Sequence, residues 1–319
     1  MKPSIAFIGL GIMGQRMIEN MVTHGGFNLA QAWDPNSSSC KTLKNKYPNL
    51  ILGNTPESVI FAKNIDVVYI ASPPSSHKEH VLNATKAGKI IFCEKPLGIN
   101  VKETERLVKI VEKSGLANAV NFPFIGSAAI NLIKQKIQDK SLGCIKGVDL
   151  KLHFSSWPRN WQHSAKWLKF REEGGFIREV VSHYVYLIEL LFGPSTLISK
   201  SVSYPKDKKL CETHFLAQLS TKNTNITFVG ESGGVGPDQV EFTIWGSKTS
   251  YRLWDWYNLQ STKGQKWEDE LKELKDPRKD CYQTSLNNLE LMIKNKPHNM
   301  ASLRTALSVQ KIIEKILTQ

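Results

Sequence analysis

The 319-residue chain has little cysteine, and the five it has (Cys40, Cys93, Cys144, Cys211, Cys281) stand more than 50 positions apart. With no CxxC pair and an odd total, neither a zinc ribbon nor a disulfide frame is expected; reduced thiols in the cytoplasm are. No metal ligand set is read from the sequence. The chain also lacks any run approaching the roughly 20 apolar residues of a membrane span. Met1-Lys2-Pro3 leads straight into a strand-like run, so no secretory leader is expected. Acidic residues are the scarcer charge, 29 against 42 basic, for a net +13. The bases are dispersed and mixed with acids, as in KWEDELKELKDPRKD, and no nucleic-acid module is recognisable. No nucleic-acid partner is expected; the excess is either a plain solvated surface of a basic protein or a bias toward a negatively charged substrate or cofactor. Repeats and low-complexity tracts are missing too. With 41% hydrophobic and 22% charged residues, this is a globular chain long enough for two domains.

The first 122 residues alternate two patterns. Ser4–Ile8, Phe27–Asp34, DVVYIA (66–71), KIIFCE (89–94) and LANAVN (116–121) read as strands, the apolar ones as strands buried on both faces. Between them lie helices: Gly14–Val22, one opened by Thr55-Pro56, one boxed by Ser76 and Glu79 and stopped at Gly88, and one capped by Asn100 with Glu103 and ended at Gly115. That alternation predicts a doubly wound parallel sheet, an α/β Rossmann domain over 1–122. Beyond it, Gly147–Phe154 alternates apolar with polar residues, as a half-buried antiparallel strand does. Further strands are expected near 197–204, 213–219, 225–231, 239–246 and 249–257, with helices over 177–192, 279–294 and 299–317. Residues 123–319 are thus expected to form an α+β domain with a mostly antiparallel open sheet.

Gly9-Leu10-Gly11-Ile12-Met13-Gly14 lies between the first strand and the first helix. In such a turn the first glycine allows the tight bend, the second lets a diphosphate reach the backbone, and the third lets helix and strand pack closely. The helix N-terminus then offers free N–H groups to the anion. Asp34 ends the second strand, about where an acid that binds the adenosine ribose is expected. A carboxylate there accepts bonds from a free 2′-hydroxyl and repels a 2′-phosphate, which favours NAD over NADP.

Two further stretches make the pattern more specific. SPPSSH (72–77) follows the fourth strand and Glu94-Lys95-Pro96 the fifth. Together with the glycine turn they resemble the glucose–fructose oxidoreductase, inositol dehydrogenase and rhizopine-catabolism family (Gfo/Idh/MocA). The resemblance spans essentially the whole chain. It implies an NAD(P)-dependent oxidoreductase acting on a CH–OH group of a sugar, inositol or related polyol. It implies that Lys95 lies beside the nicotinamide ribose and substrate as proton relay or electrostatic clamp. Ser72, Pro73, Pro74, His77, Glu94 and Asn121 would border the cofactor. It also implies a homodimer or homotetramer joined through the C-terminal sheet. For Lys95 the plain alternative is a surface lysine at a strand end.

EEGGFIREVVSHYVYLIELLFGP (172–194) matches the family pattern of Gly-Gly, an acid, and a histidine four residues on. Glu179 and His183 fill those places, with His183 as general base and Glu179 fixing its tautomer. The acid is Glu where relatives carry Asp, and Tyr186 stands where Asp is frequent. The plain alternative is an ordinary surface pair. In SSWPRNWQHSAKWLKFR (155–171), Trp157, Arg159, Trp161 and Trp167 suit a sugar ring and an anionic group, or else pack an interface. Two motifs are decoys. GESGG (230–234) lacks the helix that a nucleophile elbow needs, and HKEH (77–80) lacks metalloprotease spacing. GLGIMG alone also resembles the β-hydroxyacid dehydrogenases, whose second domain is all-helical. A non-catalytic nicotinamide-binding protein on the same fold is the other alternative.

Overall fold

Ser4–Ile8 (β1) is paired on both edges, and Ile5, Ala6, Phe7 and Ile8 have no exposed surface. It joins Asn28–Trp33 (β2), Ile51–Leu52 (β3), Val67–Ile70 (β4), Ile90–Glu94 (β5) and Asn118–Asn121 (β6) in one sheet, ordered β3-β2-β1-β4-β5-β6. Every pair in it is parallel. Strand order reverses between β1 and β4, the switch point beyond which ligands of open α/β sheets sit. Ile12–His24 (α1), Ser37–Lys46 (α2), Pro56–Ile60 (α3), Pro74–Lys86 (α4) and Val101–Ser114 (α5) make the connections. The computed structural model describes residues 1–318.

Local chemistry sets most of these boundaries. The Thr55 side chain accepts from Ser58 N, and Asn100 accepts from Glu103 N. Gly25 and Gly115 close α1 and α5 in the left-handed conformation, with φ of 71° and 69°. The expected Ser76–Glu79 capping box does not form. The helix already begins at Pro74, so Ser76 lies inside its first turn and donates to Ser72 Oγ and Pro73 O. Helix α2 has no counterpart in the sequence reading, because SSSCKTLKNK buries only Leu43 and carries no amphipathic stripe.

The second sheet contains Ile145–Phe154 (β7), Thr196–Ser203 (β8), His214–Ser220 (β9), Asn225–Ser232 (β10), Gln239–Gly246 (β11), Ser250–Trp254 (β12), Asn258–Thr262 (β13) and Glu268–Asp269 (β14). Their order is β14-β13-β12-β11-β7-β10-β9-β8. β7 is antiparallel to β11 but parallel to β10, Ile226 facing Val148, so it is not the purely antiparallel strand its alternation suggests. The other named pairs are antiparallel. Residues 249–257 were expected as one strand. They turn at Asp255 and Trp256, both at positive φ (45° and 71°), and return as β13. Val148, Leu150, Leu152 and Phe154 face the core, as does most of the helix Ser182–Phe192, whose Tyr184 packs on Phe242 of β11. That helix is labelled α7, because Ala128–Gln138 (α6), which the sequence reading missed, precedes it. Pro277–Ile293 (α8) and Leu303–Leu317 (α9) close the chain.

The chain packs as two units. One is Met1–Phe122 with Tyr282–Gln310; the other is Pro123–Cys281 with the chain from Lys311 onward. Within the stretch expected as the second domain, 123–319, residues 282–310 pack with the first unit. There Ala301 bridges Val120, Leu303 N donates to Asn118 Oδ1, and Arg304 pairs with Glu112.

Candidate active site

The glycine turn of the first unit separates structural from ligand demands. Gly9 has φ +96°, and a Cβ there would lie 2.6 Å from the main chain of Ala71 and Ser72. One on Gly14 would strike the Gly9 carbonyl. Both positions need glycine for packing alone. Gly11 has no protein atom within 4 Å of where its Cβ would be, so the fold asks nothing of it. Asp34 closes the turn from the side: Oδ2 accepts from Leu10 N at 2.6 Å and Oδ1 from Asn36 N at 2.7 Å. Each carboxylate oxygen has a second lone pair for a ribose hydroxyl. Ile12 and Met13, half-buried, open α1. Helix N-terminal N–H donors beside an exposed glycine, with an anchored carboxylate as acceptor next to them, suit the diphosphate and ribose of a dinucleotide.

His77 joins the loops after β4 and β5. Its Nε2 lies 2.8 Å from Ser72 O and its Nδ1 3.0 Å from Pro96 O, with the residue fully buried. Burial pushes the imidazole down to about 4, so the ring is neutral and donates to one carbonyl. His77, expected to border the cofactor, has no exposed surface and ties Ser72 to Pro96. Pro73 is exposed and Pro74 buried at the start of α4.

A second buried cluster lies under the end of β5. Glu94, 5% exposed, accepts on Oε1 from the Tyr69 hydroxyl and from Asn121 Nδ2 at 2.7 Å. Three neighbouring strands each contribute one member. Desolvation, with the Glu94 charge added, raises the Tyr69 phenol well above its usual range, so it stays a donor. Asn121, expected beside the nicotinamide, spends its amide N–H on Glu94. Lys95 follows directly, half-exposed.

In the second unit the Gly-Gly pair is structural. A Cβ on Gly174 would collide with the Leu168 main chain, and one on Gly175 (φ +100°) with the Glu212 carboxylate. Glu212 is buried and accepts from Ile177 N at 2.7 Å, taking up an N–H at the helix start. Sequence reasoning missed it, since nothing nearby marks it. Arg178 binds Glu314 through Nε and Nη2 and donates to the carbonyls of Arg171 and Gly174.

The helix expected from residue 177 opens with a π turn over Ile177–Val181, in which Ser182 N–H reaches Ile177 O. Glu179 lies within that turn and His183 in the helix that follows it, and such bulges cluster at functional sites. Glu179 Oε1 accepts from Gln162 Nε2 at 3.4 Å. Gln162 Oε1 in turn accepts from Arg159 N at 3.2 Å and Nε at 3.0 Å. His183 stands edge-on to Trp256, at 5.6 Å and 89°, and packs against Phe124 at 5.8 Å. Trp256 is a second missed residue; only the tolerance of Asp255 for positive φ hinted at a turn there.

The other candidates divide. Trp157 donates to Leu168 O and packs on Phe154 and Phe176, so it is largely structural. Trp161 is 47% exposed. Trp167 is half-buried in the short turn Lys166–Lys169, and Tyr186 is buried. GESGG ends β10 and begins its connection to the strand β11, with no helix after it.

Residues 4–122 match the oxidoreductase family with an NAD-binding Rossmann fold, and residues 134–319 match that family's C-terminal alpha/beta domain. Among curated proteins, 2,7-anhydro-N-acetylneuraminate hydratase of Escherichia coli K12 is 25% identical over 53% of this chain and 44% of its own length. Myo-inositol 2-dehydrogenase of Thermotoga maritima is 26% identical, over 44% and 42%. Glucose-6-phosphate 3-dehydrogenase of Bacillus subtilis is 23% identical, over 62% and 56%. The matches thus span about half the length of these relatives. Among solved structures, a putative NADPH-dependent oxidoreductase of Desulfitobacterium hafniense superimposes with TM-score 0.84 at 14% identity, covering 99% of this chain and 95% of its own. GenD2 from gentamicin A biosynthesis, solved in complex with NAD, gives 0.81 at 15%, covering 98% and 92%. An eight-stranded second sheet rules out the all-helical second domain of the β-hydroxyacid dehydrogenases. The chain belongs to the Gfo/Idh/MocA oxidoreductase family.

Proposed function

We propose that this protein is a nicotinamide-dependent dehydrogenase or reductase that interconverts a secondary alcohol and a ketone on a sugar, inositol or related polyol. The observation that carries the reading is the glycine turn, where Gly11 is required by nothing in the protein and Asp34 is anchored beside it. Gly9, Gly11, Ile12, Met13 and Gly14 would hold the diphosphate, with Asp34 on the adenosine ribose and NAD preferred to NADP. Ser72, Pro73 and Lys95 would line the rest of the dinucleotide. When bound, the nicotinamide supplies the hydride acceptor or donor. Lys95 and His183 handle the hydroxyl proton, His183 as general base, and Glu179 holds the imidazole in its working tautomer. Relatives named for inositol, a neuraminate and a glucose phosphate support the substrate class.

All five cysteines are free thiols, which suits the cytoplasm proposed here. No helix among the described residues is long and apolar enough to cross a membrane. Assembly as a homodimer or homotetramer through the C-terminal sheet completes the reading. The test is NADH formation across sugars, inositols, sugar acids and nucleotide sugars, with NAD and NADP, beside Lys95→Met and His183→Ala. Each variant is expected to lose at least about 100-fold in kcat while still binding NADH; full turnover by either overturns its role. Glu179 and Tyr186, where relatives carry Asp, favour a second reading, a non-catalytic nicotinamide-binding protein. That one predicts NADH binding with no turnover on any polyol.

A further inference from the structure

Asp255 and Trp256 stand side by side at positive φ, 45° and 71°, in the hairpin that joins β12 to β13. Trp254 pairs with Asn258, which leaves Asp255, Trp256 and Tyr257 as the loop. Glycine or asparagine is the usual occupant of such positions, because a left-handed backbone brings Cβ against the following carbonyl oxygen. Aspartate tolerates the conformation through its short polar side chain, whereas a bulky residue such as tryptophan seldom adopts it. The main chain alone closes the turn: Asp255 N–H donates to Val240 O and Tyr257 N–H to Asp255 O, both at 2.9 Å. The indole is therefore not needed to make the hairpin, and glycine would make it with less strain.

What the indole touches gives the reason for it. His183, 7% exposed, meets Trp256 at 5.6 Å and 89°, and Phe124 at 5.8 Å and 63°. Phe124 and Trp256 lie 6.3 Å apart, and Tyr184 packs on both, at 5.3 Å and 6.0 Å. All four residues belong to the second unit. Rotation about the Cβ–Cγ bond of a histidine is ordinarily broad. Two rings set at steep angles against the imidazole narrow it, since turning out of this plane forfeits one contact or crowds the other. Backbone strain persists where the surroundings over-determine it, and it clusters at active sites.

We propose that Trp256 is a positioning residue for His183, its strained turn holding the indole where it fixes the plane of the proton-handling imidazole. The inference rests on the oxidoreductase reading and adds to it a residue outside the π turn and helix that carry Glu179 and His183. A general base works only when its nitrogen is aimed at the hydroxyl it deprotonates, and a misplacement of about 1 Å can lower the rate about 100-fold. Trp256 acts through the imidazole, so its loss bears on kcat rather than on substrate affinity.

The test uses the full chain with NAD and the probes myo-inositol, D-glucose and D-glucose 6-phosphate. Trp256→Leu, which keeps apolar bulk without a flat ring, is expected to lose about 10- to 100-fold in kcat with KM within about threefold. Trp256→Phe should recover to within about threefold of wild type. Nuclear magnetic resonance of protein carrying isotope-labelled histidine gives a readout that needs no turnover. The His183 ring signal, identified by its loss in His183→Asn, should be single and displaced by the indole ring current in wild type. In Trp256→Leu it should return toward the free-histidine shift and broaden as the ring samples further orientations. A raised KM with unchanged kcat would make Trp256 a substrate contact and overturn the inference. So would full activity in Trp256→Leu, equal losses in the Leu and Phe variants, or a His183 signal that does not move. If no probe turns over, that signal decides. A wild type that binds no NADH would instead overturn the oxidoreductase reading, and the signal would still show whether the indole fixes the ring. If Trp256→Leu does not fold, Trp256→Gly, suited to the backbone of this turn, takes its place with the same expectations.

Discussion

The amide of Gln162 faces Glu179 with its N–H, 3.4 Å from Oε1, because its own oxygen is taken by two donors from Arg159. The orientation of that amide is therefore dictated rather than free, and Glu179 must be the acceptor. Its side chain, one methylene longer than the aspartate of relatives, is held at its tip.

Replacing Gln162 by Glu would set a second carboxylate against Glu179. Like charges disfavour ionisation, so the low-pH limb of kcat/KM is expected to move up by about one unit. Gln162→Leu, which brings no charge, should lower activity without moving the limb. A common loss of thermal stability in both variants, with the limb unmoved, would mark Gln162 as packing only.

The glycine turn gives a paired expectation. Gly14→Ala drives a methyl into the Gly9 carbonyl and should cost about 1–3 kcal/mol of stability, read by urea denaturation. A Cβ on Gly11 meets no atom beyond its chain neighbours, so the stability cost of Gly11→Val should be confined to a poorer helix N-cap, about 1 kcal/mol. Its NADH dissociation constant, from fluorescence titration, should nevertheless rise at least about 10-fold as the branched side chain takes the space a diphosphate would use. Unchanged NADH affinity in Gly11→Val would contradict the cradle.

Tyr69 and Asn121 both donate to Glu94 Oε1. Removing either donor from a buried carboxylate costs about 1.5–3 kcal/mol. Because they share one oxygen, the Tyr69→Phe and Asn121→Ala effects should not add. A double-mutant cycle by urea denaturation reads this, and strict additivity would show that the two bonds act independently.

His77 sets an acid limit on stability. Its folded value of about 4 lies below the ordinary 6.5, so the folded state takes up its proton later than the unfolded chain. The stability this contributes is present above about pH 6.5 and is lost as pH falls toward 4, to a total of about 3 kcal/mol. His77→Asn keeps an amide donor for the two loop carbonyls and cannot titrate. Between pH 6.5 and 4 the wild type should therefore lose stability faster than the variant; parallel curves would reject the assignment.

Several elements were legible before any coordinates. β1, β4 and β5 are continuous apolar runs because both their faces are covered, and Asn100 and Gly115 mark the ends of α5 through short-range hydrogen bonds and backbone conformation. The glycine turn and Asp34 were readable for the same reason, since a tight turn and a strand end are local events. Illegible were α2, a helix with one buried residue, and the β12–β13 turn, whose positive-φ residues are Asp and Trp rather than glycine. The Ser76 box failed because a proline pair two residues earlier starts the helix first.

What the sequence determined by itself was the succession of strands and helices, the cofactor turn and the family, all written in patterns a few residues long. What only the tertiary structure decided was which side chains meet across long separations: Glu212 beneath the Gly-Gly pair, Trp256 against His183, four rings around Arg159, and residues 282–310 returned to the first unit. Those contacts depend on how sheets and helices close on one another, and no local pattern of apolar and polar residues encodes that closure.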